Sequence, residues 1–298
     1  MCLKIFKTKK WNSIKELLNA AVQVLEKANI DDAKQNVNQM ASKALNISYT
    51  QLPLHWQKPV SDNFLKDLDS MINRRLAHEP LQYILGEWCF LDFEVNVGEG
   101  ALIPRPETEE VFLAAEKAIK ANSIRPDFHF ADIGTGTGVL GLAMAKYFSE
   151  SIGYLVDVSD KALEIAKSNL QKYSELKSRL NLIKSDLLEA FKSDSLDVII
   201  SNPPYIDSEE VKSLMPEVVD YEPHLALDGG RNGLELIDKL LKQAEIVLKN
   251  KGLFIFEHGH GQRNEIKKML SSCWVILKEG NDFAKKERFF ILKLLKDN

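Results

Sequence analysis

The stretch that most restricts the fold is Phe128-His129-Phe130-Ala131-Asp132-Ile133-Gly134-Thr135-Gly136-Thr137-Gly138-Val139-Leu140-Gly141. A short apolar strand runs into a glycine-rich turn, and the helix beyond it carries Leu140, Ala143, Met144 and Phe148 at helical spacing. Glycines there let the backbone pass close to a ligand and take positive φ without a Cβ clash. The start of the following helix adds N–H groups with no partner inside the helix. Strand, turn and helix in that order form the unit of a parallel sheet covered on both faces.

Nineteen residues beyond Gly138, Ile152-Gly153-Tyr154-Leu155-Val156-Asp157 ends a second strand in a carboxylate. An acid at that place accepts hydrogen bonds from both hydroxyls of a ribose. Gly136 to Gly141 formally matches the dinucleotide fingerprint GxGxxG, a weak pattern taken alone. Asp132, two residues before the first glycine, favours the cationic amino-acid end of S-adenosylmethionine, because a carboxylate there would repel a pyrophosphate. A third strand ends at Ile183-Lys184-Ser185-Asp186-Leu187-Leu188, where Asp186 and Leu187 are candidates to flank an adenine. Packing of Leu187 against a helix is an equally open reading.

Residues 196–205, Leu-Asp-Val-Ile-Ile-Ser-Asn-Pro-Pro-Tyr, read as a buried strand that stops abruptly. Pro203 and Pro204 lack the N–H a ladder needs, and Pro204 holds Pro203 extended, which fixes the direction of its carbonyl. Asn202, Pro203 and Tyr205 therefore bring a side-chain carbonyl, a backbone carbonyl and an aromatic face to one point, a set that suits a planar amino or amide group. An Asn-Pro turn that merely ends a strand is the plainer alternative. One strand after Asp186, however, the tetrapeptide completes the spacing of a methyltransferase.

At these residues the chain resembles the protein N5-glutamine methyltransferases that modify peptide-chain release factors. The resemblance spans nearly everything beyond about residue 70. It runs through Glu79-Pro80-Leu81-Gln82-Tyr83-Ile84-Leu85-Gly86, Leu102-Ile103-Pro104-Arg105-Pro106-Glu107-Thr108-Glu109, Asp132 to Gly138, Ser201 to Ile206, Tyr221-Glu222-Pro223 and Glu257-His258-Gly259. The Asn-Pro-Pro-Tyr element is shared with adenine- and cytosine-amino methyltransferases. The Ile103–Thr108 and Glu222-Pro223 segments carry the specificity for the release-factor family.

The resemblance implies a Rossmann-like class I α/β methyltransferase sheet, with S-adenosylmethionine as cofactor and S-adenosylhomocysteine as product. It implies transfer to the side-chain amide of the glutamine in the Gly-Gly-Gln motif of a release factor. Asp132, Gly134, Thr135, Gly136, Thr137 and Gly138 would line the cofactor loop, Asp157 would hold the ribose, and Asp186 and Leu187 would lie by the adenine. Asn202, at the junction of cofactor and substrate, would join Pro203, Pro204 and Tyr205 in binding the glutamine, with Asn202, Pro203 and Tyr205 catalytic. Asp282-Phe283-Ala284-Lys285-Lys286-Glu287-Arg288 departs from the family, which tends to place a glycine in that turn.

The amide chemistry fits those residue types. An amide nitrogen has its lone pair delocalised into the carbonyl and is a poor nucleophile. Asn202 Oδ1 and the Pro203 carbonyl, accepting from its two N–H bonds, would raise its electron density and aim its face, while the Tyr205 ring packs on the amide and excludes water. The proton turns acidic only as the methyl transfers, so no catalytic carboxylate is assigned.

Composition bounds the alternatives. A chain of 298 residues with a net charge of −4 can bury one large core or two smaller ones. Cys2, Cys89 and Cys273 are scattered, which argues against a disulfide framework and a zinc site. His258-Gly259-His260 has only Glu257 as a neighbouring acid and reads as a satisfied pair at a strand end, so no metal is expected. Residues 1–10 are too short and lysine-interrupted for a signal segment, and no run approaches the roughly 18 apolar residues of a membrane span. A cytoplasmic enzyme, monomeric and without membrane association, is expected. Weak acidity favours a protein substrate over stable nucleic-acid binding, because the clusters Lys7, Lys9, Lys10 and Lys285, Lys286 are the kind that solvated faces produce.

Three parts are expected: a helical substrate-recognition domain over residues 1–80, a hairpin linker over 81–106, and the methyltransferase domain over 107–298. In the first, Ile14, Leu17, Leu18, Ala21, Val22 and Leu25 form one helix face with Asn12 or Ser13 as cap. Ser61 opens another helix, with Phe64, Leu68, Met71 and Ile72 inward. Trp88, Phe90, Phe93, Val95 and Val97 alternate as a hairpin, Glu107–Lys120 is a helix, and Lys251–Glu257 and Phe289–Leu294 are late strands. Two other classes stay open here, an adenine-N6 nucleic-acid methyltransferase and a non-enzymatic or NAD-binding module.

Overall fold

The computed structural model describes residue 6 and residues 10–296. Cys2, Lys7, Lys9 and most of the first ten residues lie outside the described residues. The chain opens with helices α1 (Ile14–Lys27), α2 (Ala33–Leu45), α3 (Asp62–Leu76) and α4 (Leu81–Leu85). Strands β1 (Glu87–Phe90) and β2 (Phe93–Asn96) follow, then α5 (Pro106–Ala121). Alternation sets in with β3 (His129–Ile133), α6 (Val139–Tyr147), β4 (Ile152–Asp157), α7 (Asp160–Lys172), β5 (Leu180–Lys184) and β6 (Leu196–Ser201). One-turn helices α8 (Ser208–Val211) and α9 (Pro216–Val219) precede α10 (Glu235–Val247), β7 (Leu248–Glu257), α11 (Arg263–Met269), β8 (Trp274–Asn281) and β9 (Glu287–Leu294).

These elements form two compact units. The first takes the residues up to Glu87 together with Pro216–Tyr221. Its core joins Leu17, Leu18, Ala21 and Leu25 of α1 to Val37 and Met40 of α2 and Phe64, Leu68 and Ile72 of α3. Ser13 caps α1, accepting from the Glu16 N–H at 3.3 Å, and Ser61 caps α3, accepting from Phe64 at 3.4 Å; each such cap contributes about 1 kcal/mol. Met71 and Val22 are only partly buried at the rim of that core. Arg75 is buried yet has its donors met: Nε reaches Asn36 Oδ1 at 2.8 Å, Nη1 the Glu79 carbonyl at 3.0 Å and Nη2 Glu217 Oε2 at 2.6 Å. That pairing draws α9 into the unit.

The second unit comprises Trp88–Met215 and Glu222–Asn298. The β1–β2 hairpin is shorter than its sequence pattern suggests, because residues 81–85 are helical. Phe148, read as a helix face residue, stands just past the end of α6 as its C-cap. The main sheet has the order β5-β4-β3-β6-β7-β9-β8, with β9 antiparallel to both neighbours and the other pairs parallel. Counted from β3 as the first strand, the order is 3-2-1-4-5-7-6. It differs from the doubly wound dinucleotide order by the antiparallel strand inserted near one edge. The inner strands β3, β6 and β7 are the most fully buried, with Ile133, Ile199, Phe254 and Phe256 in the core beside Val156 of β4, while the edge strand β5 is only partly buried.

The chain reverses its direction of sheet growth between β3 and β6. There the carboxyl ends of adjacent strands leave a crevice in which ligands bind in open α/β sheets. Both motifs open into it, since Ile133 pairs with Ser201 in register. Glu257 follows Phe256, the register partner of Ser201, and so stands beside Asn202 at the same level.

Candidate active site

A cavity of about 390 Å³ occupies that crevice. Its floor is the glycine loop, with Gly134, Gly136 and Gly138 at φ of 68°, 54° and 86°, conformations open to glycine and strained for other residues. Asp157 holds the loop from the next strand: Oδ2 accepts from the Gly136 N–H at 3.0 Å and Oδ1 from Ser159 at 2.9 Å. Desolvation pushes the Asp157 carboxyl above the ordinary range, opposed by those backbone donors. Thr135 and Thr137 are buried within the loop, and Asp186 and Leu187 line the far wall. Asp186 is exposed and paired with Lys239 at 2.5 Å, whereas Leu187 is half-buried against the core.

Asp132 is buried beneath the loop. Its Oδ2 accepts from the Thr135 hydroxyl at 2.6 Å and the Gly141 N–H at 2.9 Å, while Oδ1 is buried with no partner. Burial raises its pKa to about 7 against the pull of those donors. A buried, half-satisfied acceptor bordering a cavity is costly unless a donor or cation completes it.

On the opposite side, the Asn202 turn sits in a network that sequence reasoning did not reach. Asn202 Nδ2 donates to Thr108 Oγ1 at 3.0 Å, and Thr108 Oγ1 donates to Glu257 Oε2 at 2.7 Å. Tyr205 donates from its hydroxyl to Glu257 Oε1 at 2.9 Å, and Arg288 Nη1 reaches the Tyr205 oxygen at 3.4 Å and Glu257 Oε1 at 4.0 Å. Glu257 is fully buried, and desolvation raises its carboxyl to about 7. With Nδ2 committed to Thr108, Asn202 turns its carbonyl oxygen to other partners.

Asn202 and Pro204 line the cavity; Pro203 and Tyr205 are not among the lining residues. Pro203 is buried in the turn, and Tyr205 packs on the core of the sheet with its hydroxyl anchored at Glu257. Tyr205 thus braces the turn through its hydroxyl. Burial and the Glu257 charge push the Tyr205 phenol far above its ordinary range, so it stays a donor.

Gln262 fixes the turn from behind: its Nε2 donates to the Tyr205 carbonyl at 2.8 Å and the Asn232 carbonyl at 2.9 Å. Over the mouth, Glu222 is buried, accepting from the Ile103 N–H at 3.2 Å and from Arg105 at 2.5 Å. This pair ties the Ile103–Thr108 segment to the Glu222-Pro223 segment, and gives Arg105 a bracing role.

In the 282–288 turn, Lys285 adopts φ 61°, the conformation a glycine would supply, and Asp282 accepts from Lys286 N–H at 2.9 Å and Arg288 Nη2 at 3.0 Å. His258 is buried beside Phe290 and held neutral, its pKa lowered to about 4 by desolvation, whereas His260 is exposed. A broader depression of about 630 Å³ lies on the first unit by Asp31, Asp32 and Tyr49. It holds none of the motif residues, so the chemistry is assigned to the crevice.

The family model described as the PrmC N-terminal domain matches residues 16–86, and that of the methyltransferase small domain matches residues 117–231. A release factor glutamine methyltransferase from Clostridium acetobutylicum is 32% identical over 92% of this chain and 96% of its own length. Another from Thermodesulfovibrio yellowstonii is 35% identical over 82% of this chain and 87% of its own. Among solved structures, a methyltransferase from Pyrococcus furiosus shares the fold at a TM-score of 0.51, with 19% identity, covering 69% of this chain and 90% of that one.

Proposed function

The chain belongs to the release factor glutamine methyltransferase family, and from that premise we propose that it methylates the side-chain amide of the glutamine in the Gly-Gly-Gln motif of a peptide chain release factor. The observation that carries this reading is the pairing of Ile133 with Ser201, which opens the glycine loop and the Asn202 turn side by side into one cavity.

The lining fits S-adenosylmethionine. Asp132 Oδ1 lacks a partner and suits an ammonium group, Asp157 suits the ribose hydroxyls, and Leu187 offers an apolar wall for the adenine. Asp132, beneath the glycine loop, also disfavours the pyrophosphate of a dinucleotide. When bound, S-adenosylmethionine supplies an electrophilic methyl group on sulfur.

The protein's own residues do the rest by orientation. Asn202 Oδ1 and the Pro203 carbonyl accept from the two N–H bonds of the substrate amide, which aims the face of its nitrogen at the cofactor. Tyr205, anchored on Glu257, and Gln262, on the Tyr205 carbonyl, keep the turn from yielding. Alignment of reacting atoms about 3–3.5 Å apart supplies roughly 7–11 kcal/mol of barrier reduction. As the N–CH₃ bond forms, the C–S bond would break to leave neutral S-adenosylhomocysteine and the amide proton, acidic only at that point, would pass to water, so Glu257 and Asp132 need take no proton. The helical first unit serves as the recognition module for the release factor, and the enzyme acts as a cytoplasmic monomer.

Incubating the protein with S-adenosylmethionine and release factor, then sequencing the Gly-Gly-Gln peptide by mass spectrometry, tests this reading. A single added methyl on the glutamine side chain is expected. Methylation of adenine in DNA or RNA with none on the release factor would replace it with the nucleic-acid reading, which the shared Asn-Pro-Pro-Tyr element keeps in view.

A further inference from the structure

We propose that Glu257 is a positioning residue that decides, through the Thr108 hydroxyl, which end of the Asn202 carboxamide faces the substrate. The inference rests on the reading of the Asn202 turn as the amide site, and adds to it the origin of the turn's polarity.

A carboxamide has two ends of nearly equal shape, one an acceptor and one a donor. Only the oxygen end can accept from a substrate N–H; the nitrogen end would oppose donor to donor. Nothing in Asn202 itself selects between them. The selection comes from its neighbour, because Thr108 can offer Asn202 either a lone pair or a hydrogen. Glu257 removes that choice. In its ionised form, which prevails above about pH 7, it only accepts, so the Thr108 hydrogen points to Oε2 at 2.7 Å and its lone pair is left for Asn202 Nδ2 at 3.0 Å. The Asn202 oxygen is thereby released toward the cavity.

Thr108 and Glu257 are both buried, so water does not compete for the bond between them. The other Glu257 oxygen is held by Tyr205 at 2.9 Å, with Arg288 Nη1 at 4.0 Å, which fixes the carboxylate against rotation. Arg288 is itself steadied by Asp282, 3.0 Å from Nη2.

Glu257→Gln preserves shape and changes polarity. The glutamine oxygen is drawn to the Tyr205 and Arg288 donors, which leaves its NH₂ facing Thr108. Thr108 then accepts from Gln and donates to Asn202, and the Asn202 amide turns over. Turnover on release factor should fall by about 30-fold or more, with cofactor affinity by calorimetry within about threefold of the parent. Thr108→Val, which keeps the volume and removes the relay, should lose kcat likewise, and Thr108→Ser should restore most of it. A purely packing role predicts the reverse order, with Val tolerated and Ser not.

The Asn202 side-chain NH₂ signals in ¹⁵N NMR, assigned by their loss in Asn202→Ala, give a readout that needs no turnover. They should shift in Glu257→Gln and Thr108→Val and return toward the parent in Thr108→Ser. Unchanged signals in the first two variants overturn the relay, as does parental kcat in both. If the parent itself leaves the Gly-Gly-Gln glutamine unmodified, the functional reading fails, while the NMR comparison still decides the polarity of Asn202.

Discussion

The Ser201 hydroxyl donates to the Ile133 carbonyl at 2.7 Å, joining the last residues of β6 and β3 below the cavity. Both residues are buried, so the bond is shielded from water and holds the glycine loop and the Asn202 turn in a constant relation. The reaction assigned to this cavity needs that constancy, because a displacement of about 1 Å costs on the order of 10²-fold in rate.

Asn202→Ala removes the side-chain acceptor and leaves the glycine loop, Asp132 and Asp157 in place. Methyl transfer should fall by about 100-fold or more while calorimetric cofactor affinity stays within about threefold. Near-parental turnover would exclude the amide-orienting role of Asn202.

Asp157→Ala removes the acceptor for the ribose hydroxyls and also the support of Gly136 N–H. Cofactor affinity should weaken by about 10- to 100-fold, the range for losing a hydrogen bond to a charged group. Unchanged affinity would take Asp157 out of the cofactor site.

Asp132 sets a pH dependence whose sign follows from burial. Its folded pKa is raised from 3.8 to about 7, so the native state holds its proton more tightly than the unfolded chain. The resulting stabilisation is full below about pH 4 and is lost as pH rises toward about 7. Glu257, raised from 4.5 to about 7 amid Thr108, Tyr205, Arg288 and Glu107, adds a loss of the same sign. Urea unfolding of the free protein from pH 4 to 8 should show a shallower decline in Asp132→Asn than in the parent. Calorimetry at pH 7 in buffers of different ionisation enthalpy should also show proton release on cofactor binding, absent in Asp132→Asn. Identical pH slopes for the two proteins would contradict the assignment.

Gly233→Ala tests the backing of the Asn202 turn. Gly233 has φ 67°, and a Cβ there would stand 2.0 Å from the Tyr205 carbonyl oxygen, the acceptor of Gln262. Strain and collision together should cost more than about 1 kcal/mol in thermal or urea unfolding and lower kcat more than cofactor affinity. A fully stable, fully active variant would show that the loop can move off the turn without consequence.

The strands that build the sheet were readable from the chain because each is a local run of apolar residues, as at 128–133, 152–157 and 196–201. The glycine loop and the Asn202 turn were readable for a similar reason, since each is contiguous and its backbone demands particular residue types. Less was legible where pattern was weak: β8, an edge strand with Val275, Ile276 and Leu277 exposed, shows no clean alternation.

Thr108, Glu257 and Arg288 stood within segments the sequence singled out, but their joint role was not legible because nothing local links them. Thr108 lies 94 residues from Asn202 and 149 from Glu257, and only the β6–β7 register together with the start of α5 brings the three into one chain of hydrogen bonds. Backbone geometry and residue chemistry are written into short segments, so the kind of ligand and the kind of reaction could be inferred before folding. The polarity of a side-chain amide and the protonation of a buried carboxylate arise from neighbours in space and the exclusion of water, and both exist only once the sheet has closed.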